Sequence, residues 1–157
     1  MPRRTSPHEY ERTCAPGESI LLEGERGREM YIIRSGRVRI FKVIDGREVT
    51  LATLGQGEFF GEMSLLEDEP RSASVQAIAQ TRLLAIQPGG LLVRIRRDPT
   101  FAYEMLQRMS QRVRDVNGWL IRALENDQSL TDGTQQELDL GREAAALNAA
   151  PPEVETS

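Results

Sequence analysis

The sequence is poor in the residues that build metal centres and nucleophilic sites. It holds one cysteine, Cys14, and one histidine, His8. A single cysteine excludes an intrachain disulfide framework. One histidine and one cysteine speak against zinc or non-haem iron, which draw on several such ligands. They also remove the usual general base for a Ser or Cys nucleophile. No run approaches the roughly 20 apolar residues of a membrane-spanning helix. The opening Met-Pro-Arg-Arg-Thr-Ser has no apolar stretch behind it, so no secretory signal is visible. Aromatic residues make up only 5 % of the chain. The expectation is a cytoplasmic chain that is not an enzyme, with no metal, no cofactor and no membrane partner. Cys14 reads as a plain thiol, since nothing beside it argues for a lowered pKa.

What is present suits one domain with tails: 157 residues, 39 % hydrophobic and 28 % charged. The formal net charge of −4 is unevenly spread. Residues 126–157 carry seven acids and one base, Arg142, whereas the rest of the chain is nearly balanced. Of the 20 basic residues only Lys42 is a lysine. Such a body is no polycation, and an acidic tail repels phosphates, so no nucleic-acid partner is expected. Arg94, Arg96, Arg97, Arg108, Arg114 and Arg122 read as a solvated face.

Along the chain, residues 1–14 are polar and contain Pro2 and Pro7, and they read as an irregular arm. Short apolar runs cut by glycines follow: Met30 to Arg34, Val38 to Ile44 and Val49 to Leu54. Ser35-Gly36 and Asp45-Gly46 separate them, and Asp-Gly between apolar runs signals a hairpin. Phe41 and Val43 break the alternation set by Ile40 and Ile44, which leaves two readings open, a bulge or a two-sided strand. Ser72 to Ala79 and Arg82 to Ile86 complete a pattern of many short strands, as in a β-sandwich or barrel. After Pro88 the texture turns helical, with Leu91, Leu92 and Ile95 on a short helix. Asp98-Pro99 then reads as an N-cap followed by proline at the first helical position. From there to about 125, Ala102, Leu106, Met109, Val113, Val116, Leu120 and Ala123 step alternately by four and three. That spacing is a heptad seam, and it suits either a homodimer through residues 102–123 or the core face of an amphipathic helix. Phe101, Met105 and Trp119 lie off the seam. Residues 126–157 read as an acidic tail without regular structure.

One stretch carries chemistry: Phe60-Gly61-Glu62-Met63-Ser64-Leu65-Leu66, then Glu67-Asp68-Glu69-Pro70, then Arg71-Ser72-Ala73. Gly61 allows a positive φ or a close backbone approach. A short helical turn behind it presents free N–H groups, which favour an anion. Glu62 is an acceptor-only carboxylate suited to a sugar hydroxyl. Arg71, expected at the start of a strand, offers a planar fork to two phosphate oxygens. Ser72 and Ala73 leave room and add donors. A hydroxyl acceptor and a monoanion clamp in one segment fit a small ribose phosphate. The alternative for Glu62 and Arg71 is a structural ion pair across a loop.

This stretch closely resembles the phosphate-binding cassette of the cyclic-nucleotide-binding domain family. Gly61, Glu62, Met63, Ser64, Leu65, Arg71, Ser72 and Ala73 match it position for position. Upstream, Pro16-Gly17-Glu18, Glu23-Gly24, Gly27, Met30-Tyr31-Ile32-Ile33 and Ser35-Gly36-Arg37-Val38 follow the family rhythm. The resemblance covers residues 15–125 and implies a mainly β fold, a β jelly-roll barrel with C-terminal helices, the last one long and amphipathic. It implies that Glu62 takes the ribose 2′-hydroxyl of a cyclic purine mononucleotide. Arg71 would pair with the cyclic phosphate, helped by Ser72 and the backbone at Met63, Ser64 and Ala73. In the bacterial activators a Thr-Ser pair on the long helix reads the adenine. Val116-Asn117 stands at that place here, which keeps a polar group only at Asn117. An arginine of the same helix matches at Arg112. Cyclic-GMP-selective members often place threonine where Ser72 stands, which favours cyclic AMP over cyclic GMP. Transcriptional members continue into a winged helix-turn-helix, whereas here only the acidic segment follows. The expectation is a stand-alone sensor that acts on an unknown downstream protein. A module of the same fold with a degenerate pocket is the alternative.

Overall fold

A computed structural model describes residues 3–127. The elements in order are β1 (Arg4–Ser6), β2 (Glu9–Cys14), β3 (Ser19–Leu21), β4 (Met30–Ser35), β5 (Val38–Ile44), β6 (Arg47–Leu54), β7 (Phe59–Phe60), α1 (Glu62–Glu67), β8 (Ser74–Ala77), β9 (Thr81–Ile86), α2 (Pro88–Arg97) and α3 (Pro99–Asn126). The strands form two antiparallel sheets, ordered β1-β2-β9-β4-β7 and β3-β8-β5-β6. In each, a late strand returns between two early ones, as a β jelly-roll requires. One compact unit runs to Ala102 and a second begins at Tyr103.

The core lies between the sheets. One contributes Cys14, Tyr31, Ile33, Phe60, Leu83 and Ala85, and the other Leu21, Val38, Leu54, Val75 and Ala77. Burying each large apolar side chain stabilises by about 1.5–3 kcal/mol. Register explains how the aromatic residues fit. Ala85 stands opposite Tyr10 on one side and Tyr31 on the other, and Tyr31 stands opposite Phe60. The small alanine leaves room for rings on both flanks. Tyr31 stacks on Phe60 with centroids 5.2 Å apart.

β5 and β6 form the hairpin expected at Asp45-Gly46, both of which have positive φ (53° and 75°). That is the pattern of a two-residue turn whose twist matches the strands. Both readings of the uneven alternation hold. Ile40 pairs with Ala52 and Phe41 with Thr50, so Leu51 is an extra residue in β6 and forms a bulge. β5 is also two-sided: Ile40 packs on the core, whereas Phe41 lies beneath the Arg39 guanidinium, 4.2 Å from its ring centroid.

The N-terminal expectation is corrected. Within residues 1–14, β1 and β2 are strands, and β2 pairs with β9 along its whole length. The β unit therefore does not begin at residue 15. Tyr10, Arg12 and Cys14 share one face of β2, and Arg12 on that face hides the apolar alternation. Arg12 is accommodated by Glu18 at 3.9 Å and by the Tyr31 ring at 6.0 Å. Cys14 is fully buried, and burial pushes its thiol up, as suits a plain core thiol. The span 15–125 falls across both compact units. α3 starts at Pro99, as its Asp98-Pro99 signal predicts, and runs through Asn126. The expected tail lies outside the described residues beyond Asp127. Among the described residues no helix is long and apolar enough to cross a membrane, and no His, Cys, Asp or Glu cluster could hold a metal ion.

Candidate functional site

The cassette folds as its residue types dictate. β7 ends at Phe60, whose ring is locked in the core. Gly61 then turns the chain with φ 81° and opens α1. Its conformation and its surroundings both demand glycine. A Cβ there would lie 2.9 Å from the Glu29 carbonyl oxygen and 3.0 Å from Arg71 Nη1. The first N–H groups of α1 have no intrahelical acceptor. Asp68 in the left-handed conformation closes the helix, its N–H donating to the Ser64 carbonyl. Glu62, Ser64 and Leu65 are buried, whereas Met63 and Leu66 face outward.

Arg71 is the most unusual residue of the segment. Its side chain is only 4 % exposed. It does not start a strand as expected; β8 begins at Ser74. Instead its backbone is tied to the loop between β3 and β4. Its N–H donates to the Glu25 carbonyl and its carbonyl accepts from the Gly24 N–H, at 2.9 and 2.8 Å. The guanidinium donates from Nη1 to the Gly61 carbonyl at 3.2 Å, and Nη2 lies 3.6 Å from Glu29 Oε2. Burial pulls the Arg71 pKa below its ordinary value, against the opposing fields of Tyr31, Glu29, Glu25 and Tyr10. A buried guanidinium is a planar fork of five N–H donors, of which one is used on the Gly61 carbonyl and one faces Glu29.

The structure brings Gly61, Glu62, Met63, Ser64, Arg71, Ser72 and Ala73 into one unit. Ser72 is exposed, with Oγ 3.9 Å from Met63 Sδ. Arg112 and Asn117 are half-buried positions of α3 and belong to the second unit. Arg71 forms an ion pair with Glu29 across the loop. Glu29, which sequence reasoning did not single out, and Gly27, which it named only for the glycine rhythm, both adjoin the Arg71 guanidinium. A Cβ on Gly27 would press on Arg71 Nη2 at 2.9 Å and Nε at 3.3 Å, so the loop reaches the guanidinium only with glycine there. The Gly-Glu-Arg-Gly spacing ahead of β4 was the available signal for Gly27, and nothing local marks Glu29. Two hollows are lined by neither Arg71 nor Glu62, although Gly27, which lines the second, abuts the Arg71 guanidinium. One of about 320 Å³ lies between the β1–β2 turn and α2, and one of about 210 Å³ is lined by Arg26, Gly27, Arg28, Asp68 and Glu69.

A family model described as the cyclic nucleotide-binding domain matches residues 11–98. The chain is 41 % identical over 110 residues to the cyclic AMP receptor protein of Thermus thermophilus, covering 69 % of this chain and 51 % of that protein. The crystal structure of the Thermus thermophilus catabolite activator protein matches with a TM-score of 0.66 at 29 % identity, over 88 % of this chain and 79 % of that one. The cyclic-GMP-bound form of an EAL enzyme matches with a TM-score of 0.52 at 28 % identity, over 75 % of this chain and 35 % of that one. The chain spans about half the length of the curated relatives it matches. The family match runs from within β2 to Asp98 and takes in the whole cassette, and the chain belongs to the cyclic nucleotide-binding domain family.

Proposed function

We propose that this chain is a sensor of a cyclic purine mononucleotide, cyclic AMP in preference to cyclic GMP, and that it signals through α3 to a partner protein. The observation that carries this reading is the buried Arg71 guanidinium beside the Gly61 turn, in the same unit as buried Glu62. Arg71 takes the cyclic phosphate, with Ser72 and the backbone of Met63, Ser64 and Ala73 as further donors. Glu62 accepts from the ribose 2′-hydroxyl. Arg112 and Asn117 are the α3 candidates for contacts beyond the phosphate and ribose. Ser72 in place of threonine supports cyclic AMP, as does the similarity to a cyclic AMP receptor protein.

α3 itself supports the output. Leu106, Val113 and Leu120 recur every seven residues and are 64 %, 59 % and 58 % exposed, with Val116 beside them. An apolar stripe at this spacing fits a second copy of the same helix. Calorimetry with cyclic AMP and cyclic GMP side by side tests the function. Saturable binding of cyclic AMP, tighter than that of cyclic GMP, is the expected result. No heat and no competition from either nucleotide would remove the sensor reading.

A further inference from the structure

We propose that Glu29 is a specificity-determining residue of the phosphate site: it admits a singly charged cyclic phosphodiester and rejects the doubly charged phosphate of a nucleoside 5′-monophosphate. This deepens the nucleotide-binding reading and rests on it. The Arg71 clamp has one positive charge, and Glu29 Oε2 lies 3.6 Å from Nη2, so that charge is already matched. Glu25 adds a second negative field at the same guanidinium. The arginines that line the adjoining hollow share it with acids. Arg28 is paired with Asp68 at 3.3 Å, and the adjoining hollow lines Arg26 and Arg28 with Asp68 and Glu69.

Glu29 is also held in place. It directly precedes β4, its carbonyl lies 2.9 Å from where a Cβ on Gly61 would sit, and the loop before it is tied to Arg71 through Gly24 and Glu25. Its carboxylate is 34 % exposed, hence only partly screened. An incoming phosphate shares Arg71 with this resident carboxylate. The repulsion scales with the charge brought in, which is one for a cyclic diester and close to two for a monoester above its second pKa of about 6. Glu29 therefore weakens both ligands and weakens the monoester more. Its effect is to keep the linear nucleotide, the hydrolysis product of the cyclic one, from occupying the site.

The test is competition binding near neutral pH with cyclic AMP and 5′-AMP, on the wild type, Glu29→Gln and Glu29→Asp. Glu29→Gln should bind cyclic AMP about twofold to fivefold tighter, the range of a partly exposed ion pair. Its gain for 5′-AMP should be about the square of that, so discrimination shrinks. Glu29→Asp keeps the charge and should keep the wild-type discrimination. An unchanged affinity ratio in Glu29→Gln, weaker cyclic AMP binding, or 5′-AMP that still fails to compete would overturn the proposal while leaving the sensor reading intact. Absence of cyclic AMP binding in all three proteins would overturn both.

Discussion

Three glycines with nearly the same backbone conformation separate conformational strain from crowding. Gly17, Gly61 and Gly36 have φ of 87°, 81° and 94°. Replacement by alanine carries a common penalty of roughly 1–2 kcal/mol for the left-handed region. A gain of about 0.4–1 kcal/mol from a less flexible unfolded chain partly offsets it. The surroundings differ. A Cβ on Gly17 meets nothing within 4 Å. On Gly61 it meets the Glu29 carbonyl at 2.9 Å and Arg71 Nη1 at 3.0 Å. On Gly36 it meets the Gln80 carbonyl, the Thr81 Cα at 2.6 Å and Thr81 Oγ1 at 2.6 Å. Thr81 is fully buried, and its hydroxyl bonds to the Arg37 and Ala79 carbonyls, so β9 cannot yield there cheaply. Overpacking adds about 1–3 kcal/mol. Gly17→Ala should cost about 1 kcal/mol, Gly61→Ala about 2–3 kcal/mol, and Gly36→Ala about 3 kcal/mol or more. Urea unfolding followed by circular dichroism measures each loss by linear extrapolation. Equal losses at Gly17 and Gly61, or a Gly36 variant milder than either, would refute crowding as the reason these positions need glycine.

Further outcomes are expected. Burial, and next the neighbouring Tyr31, push the Tyr10 phenol up to about 12 from its usual 10.0. The stability this contributes is complete below pH 10 and is lost as the pH rises toward 12. Ultraviolet titration should show a late phenol step that Tyr10→Phe removes, and no loss of a late step in that variant would contradict the packing of the ring. Val113→Asp together with Leu120→Asp places charges in the apolar stripe of α3 and should yield monomers by sedimentation. A wild type that is itself monomeric at high micromolar concentration, with and without nucleotide, would show that the stripe is not a dimer seam. Nucleotide should slow hydrogen exchange across residues 110–125 as well as 61–75, and protection confined to 61–75 would show that α3 does not take part in the switch.

The elements that announced themselves are those fixed by local chemistry. Asp45-Gly46 specifies its own turn, and Asp98-Pro99 opens α3 where the residue types demand. The cassette was legible because Gly61, Glu62 and Arg71 keep their spacing within one continuous segment. Its local geometry was less so. Arg71 lies ahead of β8 because its backbone bonds go to Gly24 and Glu25, some 45 residues upstream. Glu29 was invisible for the same reason, since a charge before a strand says nothing until β4 is laid against β7. β2 was missed because its inward face carries Arg12 between Tyr10 and Cys14, and that cation is tolerable only once Glu18 and Tyr31 surround it. Contacts between distant segments decide these features, and no local pattern records them.

Binding of cyclic AMP to Arg71→Ala, compared with the wild type by calorimetry, tests the central claim most directly. Removing a buried cation that pairs with a phosphate costs roughly 2–5 kcal/mol. Affinity should therefore fall by about thirtyfold to several thousandfold while circular dichroism shows the β unit still folded. A folded Arg71→Ala protein that binds cyclic AMP as tightly as the wild type would contradict the assignment of Arg71 as the phosphate clamp.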